Sequence, residues 1–144
     1  MIDLDVKLTP NFRLYEFIHS DVAWPFDSLR YAQLEFSHEV FYNIRIVASV
    51  LQDVRTSLGI PIYVNSGFRS KLLNDKLREL GYASHPQSKH LIGRAADVRG
   101  SDQNATCKIW NLLKKHKSVD TYHSYCKTTS KSTYIHFQLK NEIA

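Results

Sequence analysis

A chain of 144 residues is the size of one domain, and we expect a single domain over residues 1–144. Hydrophobic residues make up 43% of it, with 8 Tyr, 7 Phe and 2 Trp, which supplies a core and excludes a disordered polymer; 5 Gly and 4 Pro are too few for a flexible linker. The net charge of +5 suits an anionic partner, but no arginine-rich tract or RNA-binding aromatic signature accompanies it. The densest basic run, Lys114, Lys115 and Lys117 followed by Lys127 and Lys131, reads as a solvated surface, so no specific nucleic-acid partner is expected. Cys107 and Cys126 are too few for a disulfide scaffold and match no CxxC metal pattern. The opening MIDLDVKLTPNF carries acids where a secretory signal needs bases, and no run of apolar residues is long enough for a membrane span. The expectation is cytoplasmic synthesis without a signal peptide.

In chain order, Thr9-Pro10-Asn11 reads as a helix start, with a capping hydroxyl and Pro at the first helical position, followed by a short amphipathic piece from Phe12 to Ile18. Residues 19 to 30, with Pro25 and Asp27-Ser28, read as a loop. Apolar residues at Val40, Phe41, Ile44, Val47, Val50, Leu51, Val54 and Leu58 follow helical spacing and predict one long helix over Gln33 to Leu58, stopped by Gly59. The β-branched run Ile60 to Asn65 predicts a buried strand. Ser70 caps a helix over Lys71 to Leu80 that ends at Gly81. His85 to Gln87 is loop, Ala95 to Val98 a short strand, and Thr106 to Lys117 an amphipathic helix. Val119 to Tyr125 and Tyr134 to Leu139 read as strands joined by the polar loop Lys127 to Lys131. Helices first and a late small sheet predict an α+β fold with antiparallel strands.

Of the 7 histidines, His19, His38, His85 and His116 sit in polar surroundings and read as surface residues. His90 lies in Ser88-Lys89-His90-Leu91-Ile92-Gly93-Arg94-Ala95-Ala96-Asp97, where small residues make a tight turn into a strand that carries an acid. His136 lies in Tyr134-Ile135-His136-Phe137-Gln138-Leu139. Alternation places Tyr134, His136 and Gln138 on one face and Ile135, Phe137 and Leu139 toward the core. Two His and one carboxylate leave a fourth position for water, the form of a catalytic zinc site. The residues alone leave a second reading open, in which His90 is a loop residue, His136 a satisfied sheet residue and Asp97 a turn former.

Three strings in order, Ser66-Gly67-Phe68-Arg69-Ser70, then Ser88-x-His90-x-x-Gly93-x-Ala95-x-Asp97, then Tyr134-Ile135-His136, resemble the D-alanyl-D-alanine carboxypeptidase family of zinc peptidases. The opening Leu8-Thr9-Pro10-Asn11-Phe12-x-Leu14-x-Glu16-Phe17 is similar to its short, phage-type branch. The resemblance covers about Leu8 to Leu139 and implies a small antiparallel sheet with a zinc cleft, packed by helices as in the hedgehog and D,D-peptidase group. It implies one Zn²⁺ per chain held by His90, Asp97 and His136. It also implies that Arg69 steadies the oxyanion of the tetrahedral state and that Ser88 holds the substrate backbone; alternatively Arg69 is a salt bridge closing its loop. The implied activity is hydrolysis of a peptide bond in bacterial peptidoglycan stem peptides, by a carboxypeptidase or endopeptidase that is phage-encoded and acts after release or from the virion. One departure stands out. The carboxypeptidases and dipeptidases of the family place a catalytic acid three residues before the last His, and members of the short phage-type branch often lack it; here that position is Thr133, which cannot act as a base near neutral pH. Asp120 or His123 is the expected substitute, with Glu142 third; if the chain has merely lost its acid, one restored at 133 is expected to create or raise activity. The alternative is a zinc-binding, non-catalytic wall-binding or virion module.

Overall fold

The computed structural model describes residues 2–82 and 84–141, so Glu142 lies outside the described residues. The chain opens with a two-stranded hairpin, β1 (Lys7–Thr9) and β2 (Phe12–Arg13), followed by α1 (Leu14–Ile18). The predicted helix start at Thr9-Pro10-Asn11 is instead the turn of this hairpin. Asn11 is held there by Gln52, whose Oε1 accepts from the Asn11 N–H and whose Nε2 donates to Asn11 Oδ1, both at 2.9 Å. The helix start lies four residues later, where Glu16 Oε2 accepts from the Arg13 N–H at 2.7 Å.

The long helix predicted over residues 33–58 is two helices, α2 (Asp27–Leu34) and α3 (His38–Leu58), and α2 takes over the end of the predicted 19–30 loop. Ser37 separates them. Its Oγ accepts from the Val40 N–H at 3.1 Å, so it starts a new helix where helical periodicity alone reads straight through. Further on, Ser70 caps α4 (Lys71–Glu79) and Asp102 caps α5 (Gln103–Leu113) in the same way.

Four antiparallel strands form the main sheet in the order β3 (Tyr63–Ser66), β4 (Ala95–Arg99), β6 (Thr133–Gln138), β5 (Tyr125–Thr128). Two strand expectations are corrected. β3 begins at Tyr63, because Pro61 has no N–H for a ladder, and it is a half-exposed edge strand with Tyr63 and Asn65 outward. The strand expected over 119–125 reduces to a bridge between Val119 and Leu139. Asp120 Oδ1 then accepts from the Tyr122 and His123 N–H groups, which turns the chain before β5 begins at Tyr125.

The sheet has two unlike faces. Ala96, Val98, Ile135 and Phe137 point into one core with Ile44, Val47, Ala48 and Leu51 of α3 and Ile109 and Leu113 of α5. Each large side chain buried there contributes about 1.5–3 kcal/mol. A smaller cluster of Ala23, Leu29, Leu73 and Leu77 joins α2 to α4. The other face of the sheet, carrying Asp97, Tyr134, His136 and Gln138, is left for a cleft. Among the described residues, no helix is long and apolar enough to cross a membrane.

Candidate active site

Antiparallel pairing sets Asp97 on β4 directly opposite His136 on β6. His90 arrives from a 3₁₀ turn (Lys89–Ile92) just before β4. Three contacts fix that turn. The Ser88 Oγ accepts from the His90 N–H at 3.2 Å, Asn43 of α3 donates Nδ2 to the Ile92 carbonyl at 2.8 Å, and Gly93 closes it at φ 75°. Gly93 also presses on α3: a Cβ there would meet the Val40 carbonyl oxygen at 2.9 Å, so both conformation and space call for glycine.

One donor atom from each of His90, Asp97 and His136 falls within 4.8 Å of the others. His90 Nε2 lies 3.3 Å from Asp97 Oδ1, and His136 Nδ1 lies 2.9 Å from the same oxygen. His90 Nδ1 sits 2.6 Å from the Gly67 carbonyl, which can only accept, so Nδ1 carries the proton. Burial at 2% exposure pushes the His90 ring toward its neutral form, against the pull of Asp97. The neutral ring therefore aims a lone pair from Nε2 at a carboxylate oxygen, an arrangement that calls for a cation between them. Burial opposes charge on Asp97, but the hydrogen bond from His136 Nδ1 favours the anion, and the carboxyl is held below its usual range. Donor atoms about 2.0–2.2 Å from a tetrahedral Zn²⁺ sit ~3.3–3.6 Å from one another, near the 3.3 and 2.9 Å that separate the two imidazoles from Asp97 Oδ1. The His90 contact to a backbone carbonyl is also the outer contact that metal-bound histidines make. The donor set fits zinc.

The Arg69 guanidinium stands beside this group. It donates from Nε to Ser66 Oγ at 3.0 Å, from one Nη to Ser84 Oγ at 3.1 Å and from the other to Asp97 Oδ2 at 3.0 Å. Burial lowers its pKa and the Asp97 charge opposes that. Three of its five N–H groups are thus committed, and two have no acceptor among the described residues. The ion pair with Asp97 is the salt bridge that was the alternative expectation for Arg69.

The cleft is a cavity of about 880 Å³, several times the size a dipeptide needs, and Arg69, Ser88, His90, Asp97, Asp120, His123 and His136 all line it. Asp120 and His123 are partners: His123 Nδ1 donates to Asp120 Oδ2 at 2.6 Å, a bond that lowers the Asp120 pKa and leaves His123 Nε2 as an acceptor. Thr133 does not line the cavity. It shares its side of β6 with Ile135 and Phe137 and pairs with Thr128, so the position of the family's acid faces away from the metal group. Among the lining residues that touch His136 or Arg69, two escaped the sequence reading. Tyr125 stacks on His136, with ring centroids 5.2 Å apart, and Ser84 bonds to Arg69. Gln138, whose Oε1 lies 3.2 Å from His136 Nε2, was signalled by alternation on β6.

The family model described as Peptidase M15 matches residues 26–138. No curated protein matches the chain by sequence. Among solved structures, the crystal structure of the Serratia marcescens L-Ala D-Glu endopeptidase ChiX is similar at 17% identity and a TM-score of 0.46, over 73% of this chain and 89% of that one. The matched family segment covers well over half of the sequence and contains every candidate ligand, and on that basis the chain belongs to the peptidase M15 family.

Proposed function

We propose that this chain is a zinc peptidase that hydrolyses a peptide bond in bacterial peptidoglycan stem peptides. The reading is carried by the neutral His90 lone pair, which converges with His136 on the Asp97 carboxylate in the floor of a peptide-sized cavity. His90, Asp97 and His136 are the ligands in this reading. When bound, Zn²⁺ polarises a carbonyl and brings the pKa of a coordinated water toward ~7.

The chain's own residues then divide the remaining work. Arg69 turns its two uncommitted N–H groups to the scissile carbonyl and stabilises negative charge as it develops on that oxygen. His123 Nε2, its tautomer fixed by Asp120, takes a proton from the attacking water. It returns that proton to the departing amine as the C–N bond breaks, so the base ends the cycle neutral. Ser88 walls the cleft but commits its Oγ to the His90 N–H, so its part is to hold the ligand turn as well as to meet substrate. The likeness of the opening Leu8 to Phe17 to the short phage-type branch supports an enzyme delivered to the wall by lysis or by a virion.

The test is release of new amino groups from purified peptidoglycan by zinc-loaded protein. His123→Ala or Asp120→Ala should cut the rate by roughly 10²–10⁴, and Arg69→Ala by about 10²–10³. The absence of an acid at Thr133 favours a second reading, a zinc-holding module that binds the wall without cutting it. Protein that carries zinc and binds peptidoglycan but releases no amine establishes that reading instead.

A further inference from the structure

The orientation of Arg69 is set from outside the cleft. One of its Nη groups donates to Ser84 Oγ at 3.1 Å. Ser84 has a single hydroxyl proton, and that proton goes elsewhere, to Asn74 Oδ1 at 2.6 Å. A hydroxyl whose proton is committed can only accept in its remaining directions, so Ser84 presents a lone pair to the guanidinium. Asn74 is itself pinned. It is 1% exposed on α4, and its Nδ2 donates to the His85 carbonyl at 2.9 Å, which fixes which end of the amide faces Ser84. A buried amide with both ends satisfied by the same short loop stabilises one arrangement of that loop and penalises others, because an unmet polar group there is expensive.

We propose that Asn74 is a positioning residue for Arg69, acting through Ser84. Asn74 does not line the cavity, and it touches no candidate metal ligand through its side-chain hydrogen bonds. Without it, the Ser84 proton is free to turn toward the guanidinium, and the segment Ser84 to Ser88, which walls the cleft, loses its tie to α4. The cation then keeps its bonds to Ser66 and Asp97 but swings about them. The kinetic part of this inference rests on the peptidase reading; the structural part does not.

Two measurements on the full-length, zinc-loaded protein test it. The first is hydrogen exchange of the Arg69 guanidinium protons, followed by NMR. Ser84→Ala and Asn74→Ala should each speed exchange by about 10–100-fold, the scale of losing a hydrogen bond to a charged group. Asn74→Asp keeps an acceptor for Ser84 but sets a carboxylate oxygen against the His85 carbonyl in place of the amide donor, so the loop loses its tie while the Ser84 bond stays, and exchange should fall between them and the parent. The second is a cycle of rates on peptidoglycan: Asn74→Ala should lower kcat by about tenfold in the parent and by nothing further in an Arg69→Ala background. Unchanged exchange in folded Ser84→Ala and Asn74→Asp overturns the proposal, as does an equal loss in the Arg69→Ala background. If the parent never cleaves peptidoglycan, the peptidase reading falls and the exchange rates alone decide the question.

Discussion

Gly67→Ala separates the metal group from the loop beneath it. A Cβ at Gly67 would sit 2.6 Å from the Phe17 carbonyl oxygen, 2.8 Å from its Cα and 3.0 Å from its Cβ. Phe17 cannot yield, since it is 1% exposed and its carbonyl already accepts from the Phe68 N–H at 2.8 Å. The 66–70 segment must therefore move, by about 0.8 Å if the closest contact is to relax to 3.4 Å. The Gly67 carbonyl is the acceptor for His90 Nδ1 at 2.6 Å, and a shift of that size takes the bond to the limit of hydrogen bonding. Losing such an outer contact costs ~10–100-fold in metal affinity, and the forced repacking costs about 1–3 kcal/mol of stability. Gly59→Ala is the matched control. Gly59 ends α3 at φ 66° with nothing within 4 Å of a new Cβ. It should lose about 1–2 kcal/mol to backbone strain and nothing in zinc affinity. Chelator competition and thermal unfolding read both quantities. If Gly67→Ala holds zinc as tightly as Gly59→Ala does, the loop does not support the ligand and the argument for the SGFRS string fails.

Three further outcomes follow from the same geometry. Purified protein should carry close to one zinc per chain by metal analysis, and His90→Ala or His136→Ala should lose most of it, whereas His38→Ala, exposed at the start of α3, should lose none. Thr133→Glu should not raise peptidoglycan hydrolysis, because residue 133 shares its side of β6 with core residues; a gain beyond about tenfold would show that the strand turns differently there. The metal-free protein should lose stability on acidification. Burial depresses the folded pKa of His90 below 6.5, so the unfolded chain binds the extra proton first. The His90 contribution is complete above pH ~6.5 and is lost as pH falls toward the folded value, at up to about 1.4 kcal/mol per pH unit. Denaturant unfolding at stepped pH checks this, and an equal slope in His90→Gln would assign the effect elsewhere.

What the sequence exposed and what it hid have separate physical causes. The apolar stripe of α3 and the alternation of β6 are periodic, and each declared its buried face: Ile44, Val47 and Leu51 on one, Ile135 and Phe137 on the other. Spacing alone left a second reading open for His90, Asp97 and His136, and it was the resemblance carried by the three strings that singled them out as candidate ligands. Single side chains that interrupt a period were not legible. Ser37 divides a helical pattern by capping, Asn11 is drawn into a turn by Gln52 from across the fold, and Asp120 folds the chain over two N–H groups. Tyr125 and Ser84 reach the cleft through pairing and a loop contact, neither of which leaves a mark in local spacing.

The opposition of Asp97 and His136 across β4 and β6 also has a bearing on how the sheet assembles. Sliding β6 by one residue would turn all its side chains over, sending His136 toward α3 and Ile135 or Phe137 into water. Only one alignment of the two strands can hold a cation. A cation held there, as the proposed function requires, would therefore act as a proofreader during assembly: at a free concentration 100 times its Kd it would add about 2.7 kcal/mol to the correctly aligned chain and nothing to one slipped by a residue.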